Sequence, residues 1–201
     1  MMQTKRRENG VELIDKALAI KPDYVEAIFN RALLFLLTGD FGAGWSGYES
    51  RWDKKDAPSR KLGVPFPNWR GDIIRGKKII VYEEQGLGDI IQFSRNLIYL
   101  AELGAHVTFL VRPGLVELMR PFTKTVRVLS DYPARENFDY QSALLSLPLA
   151  VGATLEGVSA ETPYLRAEPE RARKWKDRLG EQGIKIGIAW LGSKAGMVDL
   201  G

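Results

Sequence analysis

The 201-residue chain contains no cysteine and only one histidine. Without cysteine there is no disulfide framework and no thiolate metal site, which fits a reducing, cytoplasmic setting. His106 alone makes a poor zinc set, and its place beside Ala105 at the start of an apolar run reads as structural, so no metal is expected. Long apolar runs are missing too. Ala27–Leu37 is interrupted by Asn30 and Arg31, and Ala143–Ala153 by Ser146 and Pro148. Both fall short of the ~20 residues that span a bilayer, so no membrane span is expected. The basic residues near Met1 are followed by no apolar stretch of the kind a signal peptide needs. Charge of one sign is not gathered anywhere: 29 Lys+Arg and 25 Asp+Glu leave +4 spread along the chain. That balance describes a solvated surface and no nucleic-acid partner.

What is present is enough apolar material, 45% of residues, to fill the core of one ordinary domain with something small attached. The first fifty residues have helical spacing. Val11, Ile14, Ala17 and Leu18 precede Lys21-Pro22-Asp23, where proline stops one helix and aspartate can cap the next. A second helix is expected from Val25 to Thr38, and a third from Phe41 to Trp52 with Phe41, Trp45, Tyr48 and Trp52 along one face. From Asp53 to Gly76 charge, proline and glycine replace any sustained apolar period, as in a connecting segment.

Strands then alternate with helices. The expected order is strand Ile79–Tyr82, helix Asp89–Leu103, strand Val107–Val111, short helix Leu115–Met119, strand Val126–Leu129 and a weaker strand or strand-to-helix passage over Phe138–Leu145. This order implies an α/β fold with a parallel sheet covered on both sides. A charged helix follows at Glu168–Leu179, packed down by Trp175, with a last strand opening at Lys185–Trp190. The domains are expected at 1–53 (helices), 54–76 (linker), 77–167 (Rossmann-like) and 168–201 (linker helix and the first strand of an incomplete domain).

The candidate site is the turn Gly86-Leu87-Gly88-Asp89, between the first strand and its helix. Glycines there allow a sharp turn and close approach of a ligand, and a helix start presents free N–H groups. Asp89 is expected at the mouth of a pocket. The same carboxylate is equally a helix-start residue favoured by capping and by the helix dipole. A dinucleotide-binding turn is disfavoured, because Ile91 stands where the third glycine belongs and the second strand ends in Arg112-Pro113 without an acidic residue. A P-loop at Gly187–Lys194 has its serine and lysine in the wrong order.

Two sets of residues carry a family resemblance. Gly10, Ile14 and Ala17, then Ala32, Phe35, Gly44 and Tyr48, resemble the small and large positions of tetratricopeptide repeats, with Ile28, Arg31 and Arg51 departing from the pattern. Glu84-Gln85-Gly86-Leu87-Gly88-Asp89-Ile90-Ile91-Gln92-Phe93 resembles the start of glycosyltransferases of the GT-B fold, in the family 9 and heptosyltransferase-like group that often follows such repeats. Trp45-x-x-Tyr48-Glu49-x-Arg51-Trp52, Pro67-x-Trp69-x-Gly71 and Gly187-Ile-Ala-Trp190 extend the likeness. The resemblance implies transfer of a sugar from a nucleotide-sugar donor to a hydroxyl on a glycan, lipid-linked or protein acceptor, with no resident cofactor. It implies Asp89 as general base, Gly86 and Gly88 opening the turn to the acceptor, Gln92 orienting a hydroxyl and Arg95 meeting an acidic group. It also implies that the donor-side domain is mostly absent and that the chain alone is inactive. The competing expectation is a binding module that holds a protein partner through its helices and does no chemistry.

Overall fold

The computed structural model describes residues 2–55, 57, 62–154 and 163–188. Residues 2–166 belong to one compact unit and those from 167 onward to a second.

In the first unit, α1 (Met2–Ile20), α2 (Val25–Thr38) and α3 (Phe41–Tyr48) follow one another, and a 3-10 turn at Glu49–Asp53 ends the helical part. Helix α2 runs over the expected span. Gly39 stops it in the left-handed conformation (φ 90°), and Asp40 caps α3 by accepting from Ala43 N–H at 3.1 Å. The third helix is shorter than expected, because the chain tightens to 3-10 geometry after Tyr48. Helices α2 and α3 lie close: a Cβ at Gly47 would stand 2.8 Å from Ala32 Cβ, so only a small residue fits there.

The sheet is parallel, in the order β3 (Val126–Leu129), β2 (His106–Leu110), β1 (Lys78–Tyr82), β4 (Tyr140–Ala143). The expected α/β class is therefore observed, as a mixed fold around four parallel strands. Ile79, Val81, Val107 and Phe109 point from one face into the main core, against Ile90, Leu97, Leu100 and Met119. The other face is covered differently from the expectation. Tyr82, Leu110 and Ala143 meet Trp52, Leu62, Leu129 and Tyr132, all from loops, strand ends and the 3-10 turn.

The expected helix Asp89–Leu103 is two helices, α4 (Leu87–Phe93) and α5 (Arg95–Glu102), separated at Ser94. Ser94 is fully buried and its hydroxyl donates to Ile91 O (2.8 Å), a local bond that competes with the helical ladder. Helix α6 (Pro113–Met119) leads through a 3-10 turn to β3. After β4 a 3-10 turn and α7 (Leu147–Ala150) follow, as the expected strand-to-helix passage.

The segment 62–76 lies on the sheet edge rather than hanging free. Gln141 N donates to Pro67 O and Trp69 N to Gln141 O, both at 2.9 Å, while Trp69 and Ile74 are buried. Covering the outer edge of β4 satisfies backbone groups that would otherwise invite another strand.

In the second unit α8 (Pro169–Leu179) buries no residue. Trp175 is 54% exposed with Arg178 stacked on its ring, which corrects the expectation that it packs the helix down. Seven of the eleven residues of α8 are charged, and Trp175 and Leu179 are its large apolar side chains, too few for a broad apolar stripe. Residues 185–188 are not a strand, and the rest of the expected strand, with Gly192–Lys194, lies outside the described residues.

Candidate functional site

Strand β1 is followed directly by two consecutive glutamates, Glu83 and Glu84, and both are buried at 2% exposure. Buried carboxylates need partners, and each has an arginine. Arg51, 1% exposed, reaches from the 3-10 turn and grips Glu84 with both prongs, Nε to Oε2 at 2.9 Å and Nη2 to Oε1 at 2.8 Å. Its remaining donors go to Glu49 (2.6 Å), Ser146 Oγ (2.7 Å) and Tyr48 O (3.3 Å), and the guanidinium lies over the rings of Tyr48 and Trp52. Leu145 N–H also donates to Glu84 (3.1 Å). Burial by itself would lower the Arg51 pKa, but hydrogen bonding and charge from Glu84 and Glu49 outweigh it and raise the pKa above its ordinary value. On the other side Arg112 Nε donates to both oxygens of Glu83 (3.0 and 2.9 Å), and its Nη2 to Gln85 O (2.9 Å).

Between these pairs the backbone turns at Gln85, which has φ 63°, the left-handed region that a non-glycine residue enters at a cost. Its carbonyl is held by Arg112, and its side-chain amide donates to Tyr48 Oη at 2.7 Å. Burial, ahead of the charges around it, raises the Tyr48 pKa, so the phenol keeps its proton. The sharp turn is thus made by Gln85 and not by the glycines. Gly86 has φ −84° and Gly88 lies outside the left-handed region.

Gly86 caps α4, and Asp89 at the third helical position accepts from Gly86 N–H at 3.0 Å. That is half of a capping box, since glycine has no side chain to return the bond. The second Asp89 oxygen has no partner among the described residues. Gln92 and Arg95 go elsewhere. They line a cleft of about 360 Å³ with Leu36, Phe41, Trp45 and Phe93, which Gly86, Gly88 and Asp89 do not touch. Arg95 is also engaged: its Nε donates to Gln92 O (3.1 Å) and its guanidinium stacks on Tyr164 at 4.5 Å. The five expected site residues therefore fall into two groups, and Asp89 is not at the mouth of either cleft described.

A larger cleft, about 760 Å³, opens beyond the carboxyl ends of β1 and β4, with Tyr82 and Ala143 in its wall. The chain order reverses between these two strands, the place where parallel sheets offer a crevice to ligands. Burial, and then the charge of Glu84, pushes the Tyr82 pKa up to about 12.

Among curated proteins, the chain is similar to Protein FlbA of Caulobacter vibrioides (strain ATCC 19089 / CIP 103742 / CB 15). Identity is 31% over 182 residues. The match takes in 81% of this chain and 30% of FlbA, so the chain spans under a third of the relative's length. No family model matches the chain, and no solved structure does. These comparisons overturn the likeness to glycosyltransferases preceded by tetratricopeptide repeats: no model of either family matches, and the relative found is named for neither. The motif strings were short, and glycine, aspartate and small helix-packing residues recur for local structural reasons. Gly86 and Asp89 here make a helix cap, and Gly47 a close helix contact.

Sequence reasoning gave Glu83, Glu84, Arg51 and Arg112 no chemical task. The available signal was the pair of acidic residues directly after an apolar strand, which need cations once buried. Nothing local says which arginines supply them.

Proposed function

We propose that the 83–89 turn is the acceptor-side part of a site for sugar transfer, with Asp89 as general base. In this reading the free oxygen of Asp89 takes the proton of an acceptor hydroxyl as that oxygen attacks C1 of a nucleotide-activated sugar. The C1–O bond to the nucleotide breaks, and the nucleoside phosphate leaves with its electron pair. The observation that carries the reading is a carboxylate with one oxygen tied to Gly86 N–H and the other unclaimed, on a turn held by two arginine–glutamate pairs. A preorganised carboxylate has little reorganisation left to do, and general-base help is worth roughly 10²–10⁴-fold. Strain at Gln85, maintained by its surroundings, fits a functional turn. The acceptor is a glycan, lipid-linked or protein hydroxyl, and the setting is cytoplasmic.

The test is release of nucleotide from UDP-, GDP- and ADP-linked sugars by the protein as its reading frame encodes it, with Asp89→Ala and Asp89→Asn variants alongside. The reading expects turnover that both variants reduce by roughly 10²-fold or more with the fold kept. Equal turnover in the variants, or none in any form of the protein, removes it.

A second reading, a protein-binding module, is favoured by a different observation. Leu13, Leu33 and Leu37 on α1 and α2 are 66%, 41% and 59% exposed. It expects partner binding that Asp89→Ala leaves unchanged and Leu33→Glu with Leu37→Glu abolishes.

A further inference from the structure

The peptide that joins Gln85 to Gly86 carries both groups that fix the turn. Its oxygen, on Gln85, accepts from Arg112 Nη2 at 2.9 Å, and its N–H, on Gly86, donates to Asp89 Oδ2 at 3.0 Å. A peptide unit is planar, so the two groups turn together, and the torsions of Gln85 decide where both point. Gln85 is the one residue other than glycine with positive φ among the described residues, at 63°. Glycine rests there freely, whereas a glutamine is kept there by its surroundings. Arg112 is one holder, but its side chain is 38% exposed, where water competes for its donors, and it is shared with Glu83. The other holder comes from the helical part. Tyr48 Oη accepts from Gln85 Nε2 at 2.7 Å. Tyr48 is itself fixed: it is buried, its ring meets Phe29 at 5.4 Å and Trp45 edge-on at 5.7 Å, and the Arg51 guanidinium lies 4.9 Å from its centroid. The hydroxyl therefore stands at a point set by α2, α3 and the 3-10 turn.

We propose that Tyr48 and Gln85 are positioning residues for Asp89: the helical part grips the Gln85 side chain, and the Gln85–Gly86 peptide thereby keeps its N–H on the Asp89 carboxylate. Without the Tyr48 hydroxyl, Gln85 relaxes toward negative φ, the peptide plane rotates, and Gly86 N–H leaves the carboxylate. Tyr48 acts through the Gln85 amide, from a helix that precedes the turn by more than one element. The helical part is then a working piece of the site and not an appended module. The geometric claim concerns the turn alone, while its consequence for turnover rests on the transfer reading.

The experiment is NMR amide hydrogen exchange at Gly86 in the full chain, with nucleotide release from the same sugar nucleotides measured alongside. The variants are Tyr48→Phe, which keeps the ring and removes the hydroxyl, Gln85→Ala, and Tyr48→Phe combined with Gln85→Gly. Glycine adopts positive φ without a holder, so it replaces the lost contact. The expected result is exchange at Gly86 about fivefold or more faster in Tyr48→Phe and in Gln85→Ala, and mostly restored in the combined variant. Turnover follows the same order: kcat falls with KM for the sugar nucleotide unchanged, and glycine recovers it. Unchanged Gly86 exchange in Tyr48→Phe, or a loss that glycine does not recover, overturns the proposal and leaves Tyr48 a packing residue. Unchanged kcat in Tyr48→Phe and Gln85→Ala, in a protein that Asp89→Ala inactivates, also overturns it and leaves the transfer reading standing. Absence of turnover in the parent chain removes the transfer reading, and the exchange result then upholds or overturns the positioning by itself.

Discussion

Removing the Arg51 guanidinium would leave Glu84 as an unpaired charge at 2% exposure. Breaking a buried ion pair from one side costs about 3–5 kcal/mol, whereas replacing both partners with apolar groups is often near neutral. Arg51→Met is therefore expected to lower stability by about 3–5 kcal/mol in urea unfolding, and Arg51→Met with Glu84→Met by clearly less. Arg51→Lys also loses, because an ammonium cannot make the two-pronged contact with Glu84. Equal losses in the single and double variants would show that Glu84 tolerates exposure to water. Tyr82 gives a pH-dependent counterpart. Its folded pKa, about 12, lies above the ordinary 10.0, so its contribution is complete below pH 10 and is lost as pH rises toward 12. Thermal unfolding followed between these values should fall more steeply for the parent chain than for Tyr82→Phe.

At the scale of elements, the pairing of α2 with α3 depends on close approach. A valine at position 47 would drive its side chain into Ala32, already 2.8 Å from where a Cβ would stand. Gly47→Val is expected to cost about 1–3 kcal/mol, as overpacking does, and Ala32→Gly in the same chain should recover part of it. Additive losses in denaturant melts would place the strain elsewhere. The element pattern was widely legible in the residues. Helix Val25–Thr38 and strand Val126–Leu129 fall where spacing and terminal residues predict them. The break at Ser94 was not legible, because it depends on a buried hydroxyl turning to Ile91 O within an otherwise regular apolar period. The shortened α3 was not legible either, since the 3-10 turn positions Arg51 for a partner thirty-three residues away.

For the whole molecule, residues 2–166 form a unit whose core includes the sheet, α2, α3 and the segment 62–76. Helix α8, in the second unit, buries no residue. A chain ending at Arg166 should keep the unfolding midpoint of the full chain within experimental error. A clear drop would mean that the second unit stabilises the first.

The α/β alternation, the helical start and the glycine-aspartate turn were set by the sequence itself, because apolar period, proline and capping chemistry act over a few residues. Tertiary structure alone decided the rest: which arginine meets Glu84, that Gln85 and not a glycine makes the sharp turn, and that Gln92 and Arg95 leave Asp89 for another cleft. Each is a contact between elements distant in the chain. Local composition cannot choose such partners, because many arginines could satisfy a buried glutamate and only packing brings one of them to it.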